Sequence, residues 1–440
     1  MNGRRMLCLV LCLGLAGCDD GTSGTDGGGG DRDGGGTNTD GGGMTGNDGG
    51  MTGSDGGMTG TDGGGGPTGF TCTDGILFAG HPDYDSDVGN RAMEGDPLSG
   101  VINQPMLYRE LVFLDRHMVT VTGQEVWSSD LNASSPVVHR LAGREASGQS
   151  LADGACADAR FANLQDLAVD SSGAIFVMDQ TANAVLRITD PFGAGCAVSY
   201  WAGTSVDTPD ITPSSPPNVG NAEGPGLSAQ FALPRRMAID SNDNLYVWDE
   251  GNVSIRKIAN DASHTVSTFV DVESTYDGRA QDVIVDAMSA LGDELFLYEH
   301  DTAGQVILEA FNLATGAHRD LFRNRADGFP DAPYGSIQPG GMTTDGVDLF
   351  LYYKGSVYRV SSSSGAMTII AGDNSVMYTS DFEGGFDPSM SHPALETQLP
   401  TRDQFSTAGA GSWLGIDEND DLYFTGSVLD PYIMRLGCGR

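Results

Sequence analysis

From Phe70 onward the chain alternates short runs of β-branched and aromatic residues with polar turns rich in Gly, Asp and Asn. Apolar residues at alternate positions, bounded by such turns, are typical of β-strands. Two segments, 164–190 and 234–260, share one order of elements. Each has a strand that ends in Asp, a tight polar turn, a second strand that ends at Asp179 or Asp249, and a third strand that carries Arg. A fourth strand follows in both, so the pattern predicts a repeated four-stranded unit.

Weaker copies of this unit occupy the rest of the domain. The second strand recurs in three apolar runs, which begin at Leu295, Leu349 and Leu422. The fourth strand recurs as an aliphatic or aromatic residue followed by Ala-Gly, with the glycine at Gly143, Gly203 and Gly372. Counting the units gives six, each of about 62 residues.

Two irregularities at the ends of the domain complement each other. A strand ending at Gly80 has no strand before it, and the last unit, 413–436, supplies only three strands. A ring closes if segment 76–79 becomes the outer strand of the last blade. The sequence therefore predicts an all-β fold, a six-bladed β-propeller of four-stranded blades, over residues 70–440.

The first 17 residues have the features of a signal peptide. Arg4 and Arg5 precede an apolar run that is too short to span a bilayer, and small residues follow it. The motif LAGC that ends at Cys18 resembles the bacterial lipobox. This resemblance implies a diacylglyceryl thioether on Cys18 and a further acyl chain, and two or more chains anchor a protein stably in a lipid bilayer. We therefore predict a bacterial membrane-anchored lipoprotein, periplasmic or at the cell surface; an ordinary secretory signal is the alternative.

Residues 18–69 are predicted to form a disordered linker. Between positions 19 and 68 there are 23 Gly, nine Asp and a single Arg, a composition that cannot bury enough apolar surface to fold. A flexible chain of this length spans on the order of 40 Å.

The whole sequence contains 60 acidic and 23 basic residues, a net charge of −37. This excess repels a phosphate backbone and excludes nucleic acid as a partner.

Four cysteines remain after the signal peptide and the lipidated residue: Cys72, Cys156, Cys196 and Cys438. An even number outside the cytoplasm favours two disulfides. Cys72 and Cys438 flank the two strands that would close the ring, so we predict a bond between them. Cys156 would pair with Cys196 by elimination, but propeller topology places them on opposite rims. That bond requires the loop 144–163 to fold down the side of its blade.

The two strongest repeats carry a family resemblance. The stretch DGACADARF followed by DLAVDSSGAIFVMDQTANAVLRI, and the stretch EGPGLSAQFALPRRMAIDSNDNLYVWDEGNVSIRKI, resemble NHL repeats. The resemblance covers about half of the domain, because the other units lack the third-strand Arg-Lys pair. It implies a six-bladed NHL-type propeller. It implies no single activity, since this architecture includes binding modules, lyases and lactonases.

Two groups of acids are candidate site residues. Asp179, Asp249 and Glu299 end equivalent second strands, so they would gather on the rim around the channel and bind a cation or a basic ligand group. In NHL repeats an acid at this place commonly supports the backbone of its own blade, and that is the alternative.

The second group of acids has a spacing similar to that of an EF-hand calcium loop: Asp83, Asp85, Asp87 and Glu94. Val88 stands where the loop needs Gly, so a solvated acidic loop is the alternative there.

We therefore interpret the chain as a membrane-tethered binding or interaction module without catalytic activity, for a protein or glycan ligand. Its recognition rim would be formed by the long loops 81–105, 144–163, 204–233 and 373–410. The sequence implies no cofactor beyond that calcium. The alternative is a metal-dependent enzyme of the lactonase or lyase type, with a cation on the channel axis. The histidines show no HxH or HxxxH spacing, and no GxSxG-like elbow accompanies the serines.

Overall fold

The computed structural model describes residues 70–80, 109–133, 137–143, 151–204, 219–272, 283–301, 306–323, 340–353, 356–372, 392–394, 414–425 and 432–439. Their strands form six antiparallel sheets. The first strands of the six sheets contact one another in a closed circle, so the sheets are the blades of a propeller. The predicted fold is confirmed. The helices in this part are single turns at Gly226–Ser228 and Glu250–Asn252, and neither is long and apolar enough to cross a membrane.

The chain begins with β1 (Thr71–Gly80). Blade one comprises β2 (Arg109–Leu114), β3 (His117–Val121), β4 (Glu125–Asp130) and β5 (His139–Gly143). After β6 (Gly154–Ala155), blade two comprises β7 (Leu164–Val169), β8 (Ile175–Asp179), β9 (Ala184–Thr189) and β10 (Ala197–Ala202). Blade three comprises β11 (Pro234–Ile239), β12 (Leu245–Asp249), β13 (Ser254–Ile258) and β14 (Val266–Asp271).

Blade four comprises β15 (Val283–Leu291), β16 (Glu294–Asp301), β17 (Val306–Asn312) and β18 (His318–Arg323). Blade five comprises β19 (Met342–Thr344), β20 (Leu349–Tyr353), β21 (Ser356–Val360) and β22 (Met367–Ala371). After β23 (His392–Pro393), blade six contains β24 (Leu414–Ile416), β25 (Leu422–Thr425) and β26 (Tyr432–Gly439).

The ring is closed by strands from opposite ends of the domain. β1 pairs with β26 in antiparallel register, with Ile76 opposite Arg435 and Gly80 opposite Tyr432. Cys72 lies directly opposite Cys438, and the two form a disulfide across a sequence separation of 366 residues. Both the predicted closure and its covalent lock are therefore confirmed.

The second disulfide depends on an additional strand. β6 pairs with β10 on the outer edge of blade two, with Ala155 opposite Ala197, so the preceding loop does fold down the side of the blade. This brings Cys156 to Cys196, and the two are bonded. Blade two consequently has five strands, where the sequence predicted four. Blade six also has five, because β23 pairs with β1.

The repeated Ala-Gly endings have a common backbone role. Gly143, Gly203 and Gly372 adopt φ values of +91°, +89° and +88°, which favour glycine. A Cβ at Gly143 or Gly203 would also lie 2.5 Å from a backbone oxygen. Each glycine N–H donates to a carbonyl of the segment that leads into the following blade, at Cys156, Gly226 and Ala394 respectively. The motif therefore links each fourth strand to the next blade.

The apolar core consists of six clusters that lie between blades. One cluster joins Val119 of blade one to Leu186 of blade two, and another joins Leu111 of blade one to Ile433 of blade six. The other four connect blades two to three, three to four, four to five, and five to six. Each sheet therefore buries its two faces against its neighbours, which explains the unbroken burial of second strands such as β8 and β12.

The loops divide between two rims. The upper rim carries the loops between second and third strands and the lead-in to each first strand. The lower rim carries the loops between first and second and between third and fourth strands. Aspartate begins several lower turns, as the turn composition predicts. The Asp170 carboxylate accepts the Ser172 N–H at 3.0 Å and the Ala174 N–H at 2.8 Å. Asp240 and Asp417 accept equivalent bonds.

The two disulfides are expected to differ in their contribution to stability. Replacing the closing pair (Cys72→Ser with Cys438→Ser) should lower the free energy of unfolding by up to about 6 kcal/mol in the chain-entropy model. Replacing the second pair (Cys156→Ser with Cys196→Ser) should cost up to about 4 kcal/mol, because it closes a shorter loop. Guanidinium titration of both variants under non-reducing conditions measures the difference. The reverse order of stabilities would contradict this account.

Candidate functional site

The three acids predicted to line the upper rim do end second strands there, but they are buried. Asp179, Asp249 and Glu299 are each 0% exposed. The Asp179 carboxylate accepts backbone N–H bonds from Ala162 at 2.6 Å, Asn163 at 3.1 Å and Ala182 at 3.0 Å. It thereby fixes both the lead-in to its own blade and the loop after its own strand.

Asp249 has the equivalent position in blade three. It accepts bonds from the Ala232 N–H at 2.6 Å, the Asn252 side-chain amide at 2.7 Å and the Arg256 guanidinium at 3.2 Å. Burial raises the pKa of Asp249 to about 6, and these donors oppose the rise. The described contacts of Asp179 and Asp249 are therefore within their own blades. A role of these acids in ligand binding stays a prediction.

Two other predicted sites lie outside the described residues. They are the lipidation site Cys18 and the calcium spacing formed by Asp83, Asp85, Asp87 and Glu94.

The structure brings together a different set of polar residues near the upper end of the channel. They come from four consecutive inner strands and from one second strand, and we call them the channel cluster: Glu110, Asp166, Arg236, Asp286 and His300. Four of them are almost completely buried, and only Glu110 keeps partial exposure. Glu110 of blade one acts electrostatically on Arg236 of blade three, as expected for side chains that face a common axis.

Hydrogen bonds of the channel cluster connect neighbouring blades. Asp166 accepts the Leu167 N–H of its own blade at 2.8 Å and the Met237 N–H of blade three at 2.7 Å. The Arg236 Nε donates to the Asp286 carbonyl of blade four at 2.5 Å. The Asp286 Oδ2 lies 2.5 Å from the His300 Nδ1. Backbone groups therefore fix the side chains of Asp166 and Arg236, and Asp286 and His300 fix each other.

The charges of the channel cluster are not balanced. Three carboxylates face one guanidinium and one imidazole. Burial raises the pKa of Asp166 to about 7, and burial together with the Asp166 charge raises the pKa of Glu110. Burial and the neighbouring Arg235 lower the pKa of Arg236 to about 10. Removing an excess of like charges from water is costly. The arrangement therefore favours uptake of a proton or of a cationic hydrogen-bond donor.

The same place in three blades holds a polar pair that joins the first strand to the end of the second strand or to the residue after it. The pairs are Gln165 with Gln180 at 3.1 Å, Arg235 with Glu250 at 3.3 Å, and Asp286 with His300. In each blade the first member lies at the irregularity in register where the first strand begins. The repeated polar residue at this point of an otherwise apolar strand is the signal that could have identified the site from sequence.

The alternative function, a metal-dependent enzyme, requires a metal site on the channel axis. Among the described residues, one group of three has ligand atoms within 4.8 Å of one another: Glu309, His318 and Asp320. It lies on the outer strands of blade four, away from the axis. The Arg323 guanidinium binds Glu309 at 3.2 Å and Asp320 at 2.5 Å, so a cationic side chain already neutralises these carboxylates.

No protein-family model matches this sequence, and no curated protein matches it. Solved structures align with this chain at low sequence identity. An auxiliary nutrient binding protein from Bacteroides thetaiotaomicron aligns at 10% identity and a TM-score of 0.49 over 84% of this chain and 77% of its own. A catalytically inactive virginiamycin B lyase from Staphylococcus aureus aligns at 12% identity and a TM-score of 0.41 over 76% of this chain and 96% of its own.

The raised pKa of Asp166 predicts a pH dependence. A carboxyl whose pKa is raised in the folded state above its ordinary value of 3.8 stabilises the fold below about pH 4, and this contribution disappears as the pH rises to about 7. Asp166→Asn carries no such charge. Its free energy of unfolding relative to the original protein should therefore increase by about 4 kcal/mol across this range.

Urea titrations between pH 4 and pH 8 measure this difference. Asp170→Asn is the matched control, because the pKa of Asp170 is lowered despite partial burial by bonds from Ser172, Ala174 and Arg187. The relative stability of that variant should stay nearly constant over this range, because a lowered pKa confines the titration of Asp170 to below about pH 4. A difference in free energy of unfolding between Asp166→Asn and the original protein that does not change with pH would contradict the raised pKa of Asp166.

Proposed function

We propose that this chain is a bacterial lipoprotein whose NHL-type propeller binds a ligand outside the cytoplasmic membrane without catalysing a reaction. The LAGC motif and the glycine-rich linker support the anchored location. The two disulfides support an oxidising compartment, because such bonds are rare in the cytosol. The closely matching repeats at 164–190 and 234–260 support the NHL type.

The proposed binding site is the channel cluster. Its excess of carboxylates over cations suits a ligand with an ammonium or guanidinium group. A basic side chain of a protein and the amino group of an amino sugar both offer this chemistry. Glu110 is the member that a ligand can reach, since it alone keeps partial exposure. The fixed positions of Asp166 and Arg236 would reduce the entropic cost of binding.

A metal-dependent enzyme is the second candidate. The close Asp286 and His300 pair favours it, because a carboxylate that fixes an imidazole tautomer is a common arrangement in acid-base catalysis. The Arg236 guanidinium opposes it. This cation donates to the Asp286 carbonyl and would repel a divalent metal among the same carboxylates.

Argininamide and citrullinamide test the binding site, because they have similar shapes and differ in the charge of the terminal group. We expect argininamide to raise the Tm of the purified full-length protein and citrullinamide to leave it unchanged. Glu110→Gln should abolish most of the shift, whereas the lower-rim variant Asp293→Asn, at an exposed carboxylate, should keep it. Equal shifts with both amides, or none, would contradict the proposal.

The same assay distinguishes the enzyme candidate. A Tm increase with calcium or zinc that EDTA reverses and that His300→Gln removes would favour a metal centre at the channel. Turnover of a lactone by the metal-loaded protein would then overturn the proposal of a non-catalytic module.

The anchor is tested separately. In a bacterial host, Cys18→Ala should prevent incorporation of labelled palmitate and release the protein from the membrane fraction, because the acyl chains supply the membrane affinity. Cys12→Ala, within the signal peptide, is the control and should leave both unchanged. Continued membrane association of unlabelled Cys18→Ala protein would contradict lipid anchoring at this residue.

A further inference from the structure

A continuous groove crosses the lower rim of blades five, six, one and two. Its first part is a cavity of about 570 Å³ bordered by loops of blades one, five and six, with Phe113, Leu131 and Tyr423 among its apolar lining residues. A second cavity, of about 400 Å³, shares Asp115 with the first. The shared residue shows that the two cavities adjoin.

The groove continues along the junction of blades one and two. A third cavity, of about 570 Å³, shares Pro191, Phe192 and Gly193 with the second and reaches the Cys156–Cys196 disulfide. We call the three together the lower-face groove. Its elongated form suits a chain-like ligand better than a compact one.

Phe192 is an apolar anchor at the centre of this groove. Its side chain is 37% exposed, although large apolar residues normally prefer burial. The His117 ring stacks on it, with a centroid separation of 3.9 Å and an interplanar angle of 17°. The stacking holds the aromatic ring in place where the second and third cavities meet, so an apolar ligand side chain finds a preformed contact.

The lower-face groove is strongly acidic. Eight carboxylate residues and four arginines line its three parts. Three of those arginines already form ion pairs: Arg140 with Glu125, Arg187 with Asp170, and Arg435 with Asp421. Glu418 is exposed beside Asp420. The net charge of −37 of the whole chain adds to the negative potential.

We propose that the lower-face groove binds an extended polypeptide segment rich in lysine or arginine, with one of its apolar side chains packed on Phe192. The elongated shape fits an extended backbone, the aromatic ring supplies an anchor, and the excess carboxylates complement the basic side chains. This site is separate from the channel cluster, because it lies at the opposite end of the inner strands.

Fluorescence anisotropy with the full-length protein tests this proposal. The probe is a labelled decapeptide that alternates lysine with leucine, and the comparison peptide has glutamate in place of lysine. We expect binding of the lysine peptide only, with an affinity that falls as salt rises. Phe192→Ala should weaken binding about tenfold. The double variant Glu418→Gln with Asp420→Asn should weaken it several-fold and reduce the salt dependence.

Matched controls separate these effects from general changes in charge or stability. Leu227→Ala removes another exposed apolar side chain, and Asp153→Asn with Asp293→Asn removes two exposed carboxylates outside the groove. Both control variants should bind the peptide unchanged. Glu110→Gln should also bind it unchanged, so this experiment can fail or succeed independently of the argininamide assay.

Three results would overturn the proposal. They are equal binding of the glutamate peptide, unchanged binding by both the Phe192→Ala and the double variant, and displacement of the peptide from the same residues by cellohexaose. The last result would assign the groove to a neutral glycan. A melting curve of each variant shows whether it is folded, and the exposed acidic positions provide a test even if the Phe192 variant does not fold.

Discussion

The structure depends on burial between blades, because a single four-stranded sheet of this protein has no core of its own. Each of the six apolar clusters joins two sheets, and the cluster between blades six and one exists only when the ring is closed. Closure rests on the pairing of β1 with β26 and on the disulfide between Cys72 and Cys438. Loss of that junction would expose apolar faces on two blades at once, so the ring is expected to be a cooperative unit.

Burial between blades also determines what the polar residues do. Strands enclosed by neighbouring sheets can keep an acid only where backbone N–H groups or a cation satisfy it. Asp179 meets this requirement with bonds from three backbone N–H groups, and Asp249 meets it with Ala232, Asn252 and Arg256. In the channel cluster, Asp166 also meets it, with the N–H groups of Leu167 and Met237. The acids at the ends of second strands therefore maintain the blades, whereas the carboxylates of the channel cluster outnumber its cations.

Much of the fold could be predicted from the sequence, because each blade repeats the same local pattern of strands and turns. The strand order, the closing strand and the pairing of Cys72 with Cys438 all follow from counting strands along the chain.

The site residues could not be predicted by counting strands. Asp179 and Asp249 are placed correctly at the ends of second strands, but a pattern does not reveal that they are enclosed. The channel cluster depends on the irregular register at the start of each first strand, which decides whether Gln165 or Asp166 faces the axis. The β6 strand was not predicted because its two residues, Gly154 and Ala155, have no strand periodicity.

The pairing of β1 with β26 has a consequence for biosynthesis. The first strand of the domain can pair only after the last strand is available. The two bonded cysteines of these strands are 366 residues apart in the sequence. Blades one to five can form in order from the N-terminal side of the domain, but the sixth cannot be completed until nearly the whole polypeptide is available. Contacts this distant in sequence also form slowly. The chain thus passes through a stage with an open ring and a strand edge without its partner, a period in which a chaperone would protect it from aggregation.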